Sequence, residues 1–246
     1  MGGRRVAEIC ARFADAEFDA AVNALLARNR RAMKHLIGAQ IGEAPMSFED
    51  GVCDDGRGAG PFKIKCTMWR EGKRLMLDLA GTDPQSASSI NFYLNENIFK
   101  MFFGICMIMV FDPQILFNDG FYDLVDVRNP EGSLLKPHFP AALSCRTYAL
   151  GRIFDVPGAL LGQQTPDFLR AAGFSSSRHL MFSDHRSDAA HKGEWFQLFQ
   201  IGFGGIPGRP FGDGLDGRLA GLHQLTFPTL SAWCGGATTS CCGWRR

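Results

Sequence analysis

Five residues able to hold a metal ion crowd thirteen positions in "HLMFSDHRSDAAHKGE": His179, Asp184, His185, Asp188 and His191. Imidazole nitrogens and carboxylate oxygens are zinc ligands, and the spacing His185-x-x-Asp188-x-x-His191 would set three of them on one helical face. The serines and Gly193 around them read instead as a polar surface loop. Ligands need a frame that holds them in place, and the sequence offers none here, so no metal ligand is assigned.

The other chemical candidates are weaker. "GRGAGP" (Gly56–Pro61) contains GxGxG but is not followed by a helix, so it reads as a flexible connection rather than a phosphate cradle. Asp54 and Asp55 are adjacent carboxylates, which point to opposite sides of an extended chain and make a poor acid–base pair. They read as loop residues bonding their own backbone. Cys145 beside Arg146 could be an activated thiolate, but "AALSCRTYALGR" lacks a G-x-S-x-G elbow and a buried cysteine fits better. "FGGIPGRP" (Phe203–Pro210) is a dense turn suited to close backbone approach. "DLAGTDPQ" (Asp78–Gln85) ends an apolar run in a corner of Gly, Thr, Asp and Pro, and supplies neither a nucleophile nor an acid–base pair.

The elements that would position these residues are of both kinds. Residues 4–37 carry Phe18, Val22, Leu25, Leu26, Met33, Leu36 and Ile37 at helical steps, with Gly38 as the stop. Phe62, Ile64, Cys66 and Met68 then alternate with polar residues, "REGKR" turns with Gly72 available for positive φ, and Leu75, Leu77 and Leu79 alternate on the return, which predicts a hairpin. Asn95 caps a helix running to Phe111, ended by Asp112-Pro113. "FYDLVDVR" (Phe121–Arg128) predicts a strand, a helix is expected from near Pro140 with a kink at Pro157, and "HLMFSD" and "WFQLFQIGF" predict short strands. The fold class is α+β, with mixed helices and antiparallel hairpins.

Composition narrows the function classes. With 46% hydrophobic and 21% charged residues the chain is ordinary for a globular protein. Its net charge of +1 gives no field for nucleic acid or an anionic membrane, and "RNRRAMKH" (Arg28–His35) reads as a solvated helix face. The most apolar run, Phe99–Phe111, is too short to span a bilayer and carries Lys100. No secretory leader is evident, so the cytoplasm is expected, with the eight cysteines, which form no CxxC pair, as free thiols.

Several of these stretches together resemble the hydantoinase B/oxoprolinase family. The resemblance rests on Asp78, Gly81, Thr82, Pro84, Gln85, Ile90 and Asn91, then on "NDG" with Asn118 and Gly120, on "PEGSLLKP" (Pro130–Pro137), and on Pro140, Ala141 and Ala142. "DDG" (Asp54–Gly56) is similar to the family's acidic turn. Leu79-Ala80 stands where the family usually has Phe-Ser.

The resemblance implies part of a larger hydantoinase B-like fold, in a family that includes N-methylhydantoinase, 5-oxoprolinase and the acetone and acetophenone carboxylases. These couple ATP hydrolysis to attack on a cyclic amide or ketone. It implies a B-type subunit, or a truncated piece of one, acting on a small-molecule substrate, with ATP handled by a partner A-type subunit and no cofactor bound by this chain alone. A divalent metal is possible in the full-length family, whose longer chains carry an upstream portion rich in His, Asp and Gly. The substrate- or subunit-contact candidates are Asp78, Gly81, Thr82, Asp83, Asn91, Glu131 and Arg146, and the catalytic residues are left unassigned. A noncatalytic remnant that only contacts partner subunits, or a small-molecule binding domain, are the competing readings.

The resemblance is expected to cover residues 1–217. Residues 218–246 contain no Asp, Glu or Lys but three of the eight cysteines and two of the four tryptophans. That composition, out of line with the rest of the chain, reads as an aberrant, frameshifted tail.

Overall fold

A computed structural model describes residues 2–13, 15–168, 171, 178–187, 192–202, 207–208 and 210–214. The chain divides into two compact units. The first comprises residues 1–47, 66–80 and 94–129, and the second comprises residues 48–65, 81–93 and 130–246. The helices and strands are α1 (Gly2–Arg12), α2 (Asp15–Gln40), β1 (Met46–Val52), β2 (Phe62–Glu71), β3 (Arg74–Asp78), α3 (Glu96–Phe111), β4 (Val125–Arg128), α4 (Thr147–Gln164), β5 (Arg178–His185) and β6 (Trp195–Gly202). Strands β1 to β4 form one sheet in chain order, and β5 and β6 form a separate antiparallel pair.

In the first unit, β2 and β3 pair antiparallel through the turn at Gly72, whose φ is 59°. β3 then pairs parallel with β4, with Leu75 opposite Val125 and Asp78 opposite Arg128. A parallel pair needs a long crossover, and α3 lies in that connection. β3 is an inner strand, so Leu75, Met76 and Leu77 are all buried and the clean alternation expected of it is absent. β2 keeps its alternation, with Ile64, Cys66 and Met68 inward. The core gathers Met33 and Ile37 of α2, Phe99, Phe103 and Met107 of α3, and Phe121.

The α3 cap is as the sequence predicts: Asn95 accepts the Asn97 N–H at 2.8 Å, and the helix stops at Phe111. The strand expected over 121–128 is only half strand. Residues Asp119–Leu124 form a 3₁₀ turn capped by Asn118, and β4 follows. Close packing dictates the turn. A Cβ on Gly120 would lie 2.3 Å from the Leu26 carbonyl oxygen, and one on Gly104 would lie 2.1 Å from the Phe121 ring.

The single helix expected over 4–37 is two helices, broken at Phe13, and Gly38 does not stop the second. Glycine weakens a helix interior by about 1 kcal/mol, and the buried Met33, Leu36 and Ile37 just before it anchor that turn against the loss. α1 buries no residue at all.

In the second unit, α4 starts at Thr147 and not near Pro140. The intervening backbone is already committed, because the Cys145 N–H donates to the Ser89 carbonyl and the Ala142 carbonyl accepts from Asn91. Pro157 lies buried inside α4, as a proline within the helix rather than at its end. The strands predicted around "HLMFSD" and "WFQLFQIGF" are β5 and β6. Among the described residues, no helix is long and apolar enough to cross a membrane.

Candidate functional site

Asp78 ends β3 in the first unit, and the segment Gly81 through Tyr93 belongs to the second. Asp78 faces Thr67 and Arg128 in the sheet register and accepts the Ala80 N–H at 2.8 Å. Its charge adds to burial in pushing the Cys66 thiol far up, so Cys66 is an inert core residue and no thiolate.

Beyond the corner the chain runs beside the start of β2 by imitating a strand. Gly81 has φ of 90°, a conformation open to glycine at little cost. The Thr82 hydroxyl accepts the Lys65 N–H at 3.1 Å and donates to the Lys65 carbonyl at 3.2 Å. Asp83 donates its N–H to the Lys63 carbonyl and accepts the Lys63 N–H on Oδ2.

The same segment is locked to "PEGSLLKPH". The Gln85 N–H donates to the Gly132 carbonyl, the Leu134 N–H to the Asp83 carbonyl and the Phe92 N–H to the Leu134 carbonyl, each at 2.9 Å. The Gln85 side-chain oxygen accepts the His138 N–H at 2.7 Å. Gly132, at φ of 75°, turns this loop so that its N–H reaches the Lys136 carbonyl.

Asn91 ties in the third stretch. Fully buried, its amide donates to the carbonyls of Ser86, Ser88 and Ala142, and its oxygen accepts the Ser86 N–H. Asp54 and Asp55 bond their own loop as expected. Asp54 accepts the Gly56 N–H, and Asp55 accepts the N–H groups of Arg57 and Ala59. The Asp55 carboxyl also lies 3.3 Å from the Ser86 hydroxyl. The Arg57 N–H chiefly, then the Ala59 N–H and the hydroxyls of Ser86 and Ser88, hold its pKa below the ordinary value, against a smaller opposing effect of burial.

Three stretches far apart in sequence, at 81–91, 130–138 and 142–145, thus form one hydrogen-bonded knot. Of the residues singled out from the sequence, Thr82, Asp83 and Asn91 spend hydrogen bonds on building it. Glu131 stands on its rim, 3.2 Å from Lys136 Nζ and 3.9 Å from His138 Nδ1. Arg146 is exposed at the start of α4 and, among the described residues, reaches only the Leu143 carbonyl. Lys136 and His138 were not singled out from sequence. Their signal was their place in "PEGSLLKPH", Lys136 within the motif and His138 directly after it. Together with Glu131 they give the rim a carboxylate, an ammonium and an imidazole within reach of one another, groups able to bind an anionic or polar ligand and to move protons.

His185 ends β5, so it cannot share a helical face with residues after it. Asp188 and His191 lie outside the described residues, as do most of "FGGIPGRP" and all of 215–246. Cys10, Cys53, Cys66, Cys106 and Cys145 are free thiols, with Cys66 buried, Cys145 half-buried and Cys53 exposed.

No curated protein matches the chain by sequence. Among solved structures it is similar to an ATP-dependent caprolactamase from Pseudomonas jessenii, at TM-score 0.71 and 20% identity, over 88% of this chain and 37% of that one. It is also similar to a nucleotide-free acetone carboxylase, at TM-score 0.65 and 16% identity, over 86% of this chain and 30% of that one. The chain therefore spans about a third of the length of these relatives, and at such identities the likeness is one of fold. The family model for hydantoinase B/oxoprolinase matches residues 1–228. With nearly the whole chain matched, and the family's separated motifs joined in one knot, this protein belongs to the hydantoinase B/oxoprolinase family.

Proposed function

We propose that this chain is the B-type component, or part of one, of an ATP-dependent enzyme acting on a cyclic amide or a ketone. The observation that carries the reading is the knot. Its buried side is built from family motifs, and its rim presents Glu131, Lys136 and His138 together. The relatives in fold span both substrate classes, since caprolactam is a cyclic amide and acetone a ketone. In this reading an A-type partner subunit binds and hydrolyses ATP, and the B-type component handles the carbonyl substrate. This chain alone holds no nucleotide or metal, and it works in a soluble, cytoplasmic assembly. The rim residues bind the polar substrate or the partner, with the His138 imidazole available for proton transfer.

The test is reconstitution. The purified chain is assayed alone and with an A-type subunit for ATP hydrolysis coupled to loss of hydantoin, 5-oxoproline, caprolactam, or acetone with bicarbonate. Alone it is expected to turn over none of them, and coupled turnover is expected only with the partner. Turnover by the chain alone, or failure to associate with any A-type subunit, would refute the reading. Glu131→Gln is expected to lower coupled turnover at least tenfold while leaving the fold intact, because it removes a charge from an exposed rim.

A further inference from the structure

Gln85 closes the rim from the side opposite Glu131. Its backbone N–H donates to the Gly132 carbonyl at 2.9 Å, and its side-chain Oε1 accepts the His138 N–H at 2.7 Å. One residue of the 81–91 stretch therefore holds both ends of the loop that carries Glu131, Lys136 and His138. The loop does not need that side chain for closure, because the Gly132 N–H already reaches the Lys136 carbonyl at 2.8 Å. What the side-chain bond adds is a fixed orientation of the Gln85 amide.

A backbone N–H can only donate, so the amide atom facing His138 is the oxygen, and the NH₂ group is the other end of the same planar amide. Nε2 has no partner among the described residues, and it is not one of the polar atoms sealed from solvent. Two N–H donors are thus held, unspent and reachable, beside residue 138. The charges of the rim are matched to each other, with Lys136 Nζ 3.2 Å from Glu131 and His138 Nδ1 3.9 Å from it. An anionic group on a ligand would be met by Lys136, and a cationic one by Glu131. A neutral amide N–H suits a neutral acceptor, and a carbonyl oxygen is one.

We propose that Gln85 is a substrate-binding residue whose Nε2 donates a hydrogen bond to the carbonyl oxygen of the cyclic amide or ketone. The assignment rests on the function proposed above and sets the carbonyl beside the His138 imidazole. The bond from His138 to Oε1 is then what aims the donor, since an amide held at its oxygen loses little further freedom when its nitrogen binds.

The test separates the two ends of the amide. Gln85→Glu keeps an oxygen for the His138 N–H but loses the donor, whereas Gln85→Ala loses both. In the assembly with an A-type subunit, Gln85→Glu is expected to lower kcat/KM for the carbonyl substrate at least about tenfold. Its KM for ATP and its urea midpoint should stay those of the natural chain. If Gln85 only held the loop, Gln85→Glu would keep full activity and Gln85→Ala alone would lose it, and that outcome overturns the proposal. A second measurement needs no turnover. γ-Butyrolactam, a cyclic amide, is titrated into the isotope-labelled 246-residue chain while NMR follows the Gln85 side-chain amide. A saturable shift is expected, and none with pyrrolidine, which has the ring without the carbonyl. No shift with γ-butyrolactam, or an equal shift with pyrrolidine, overturns the proposal. A shift in a chain that associates with no A-type subunit would instead sink the wider function and leave the Gln85 site standing.

Discussion

Asp83 is bonded twice to Lys63: its N–H donates to the Lys63 carbonyl at 2.9 Å, and its Oδ2 accepts the Lys63 N–H at 2.6 Å. One position earlier, Thr82 makes the equivalent pair of bonds to Lys65 with its hydroxyl alone. Two short side chains thus satisfy backbone groups of β2 where no strand could, because Gly81 has turned the chain out of extended conformation. Asp83→Ala should therefore destabilise the protein by about 1 kcal/mol, and Asp83→Asn, which keeps an acceptor, by less. Urea denaturation of the two variants would check the order, and equal losses would count against this role.

Asn91 should be the costlier residue of the knot. Removing its amide leaves the carbonyls of Ser86, Ser88 and Ala142 without that donor in a buried setting. Asn91→Ala is expected to cost roughly 3 kcal/mol, as a buried network losing one member. Asn91→Asp is similar in shape but turns the donor into an acceptor facing three carbonyls, and it should be no better. Thermal or chemical denaturation would measure both.

Gly104 on α3 faces the Phe121 ring with no room for a methyl group. Alanine is the better helix former by about 1 kcal/mol, so on an open face Gly104→Ala would stabilise. Here overpacking should reverse the sign, with a net loss of about 2 kcal/mol. The Gly104→Ala/Phe121→Leu double variant should recover part of it. A stabilised single variant would show that the two helical segments are looser than the contact implies.

Asp55 sets a pH dependence of known sign. Its folded-state pKa lies below the ordinary value of 3.8. The carboxylate therefore contributes stability in full above that value, and the contribution fades as pH falls below it, through the lower folded-state pKa. The stability difference between the natural chain and Asp55→Ala should be constant from pH 7 to about pH 5 and shrink below about pH 3.8. Denaturation curves across that range test it, and a difference that grows toward acid would contradict the assignment.

The sequence by itself determined the elements whose cause is local. Asn95 predicted the start of α3 because its side chain satisfies an N–H two residues away. The β2–β3 hairpin was legible because Gly72 and the period-two pattern of β2 act within a few residues. The Asp54–Asp55 loop was legible for the same reason. The local motif spacing also carried the family.

Only the tertiary structure decided the features set by distant partners. The turn at Asp119–Leu124 replaced a predicted strand because Gly120 and Phe121 pack against Leu26 and Gly104, residues remote in sequence. The late start of α4 follows from hydrogen bonds to Ser89 and Asn91, about fifty residues upstream. Asn91, a contact candidate by sequence, makes four hydrogen bonds within the knot that no local pattern announces. Glu131 meets Lys136 and His138 only because Gly132 reverses the loop between them. Hydrophobic period and capping act over one or two turns of chain. Which buried groups pair, and which polar groups are left on the rim, depends on contacts that the fold alone brings within bonding distance.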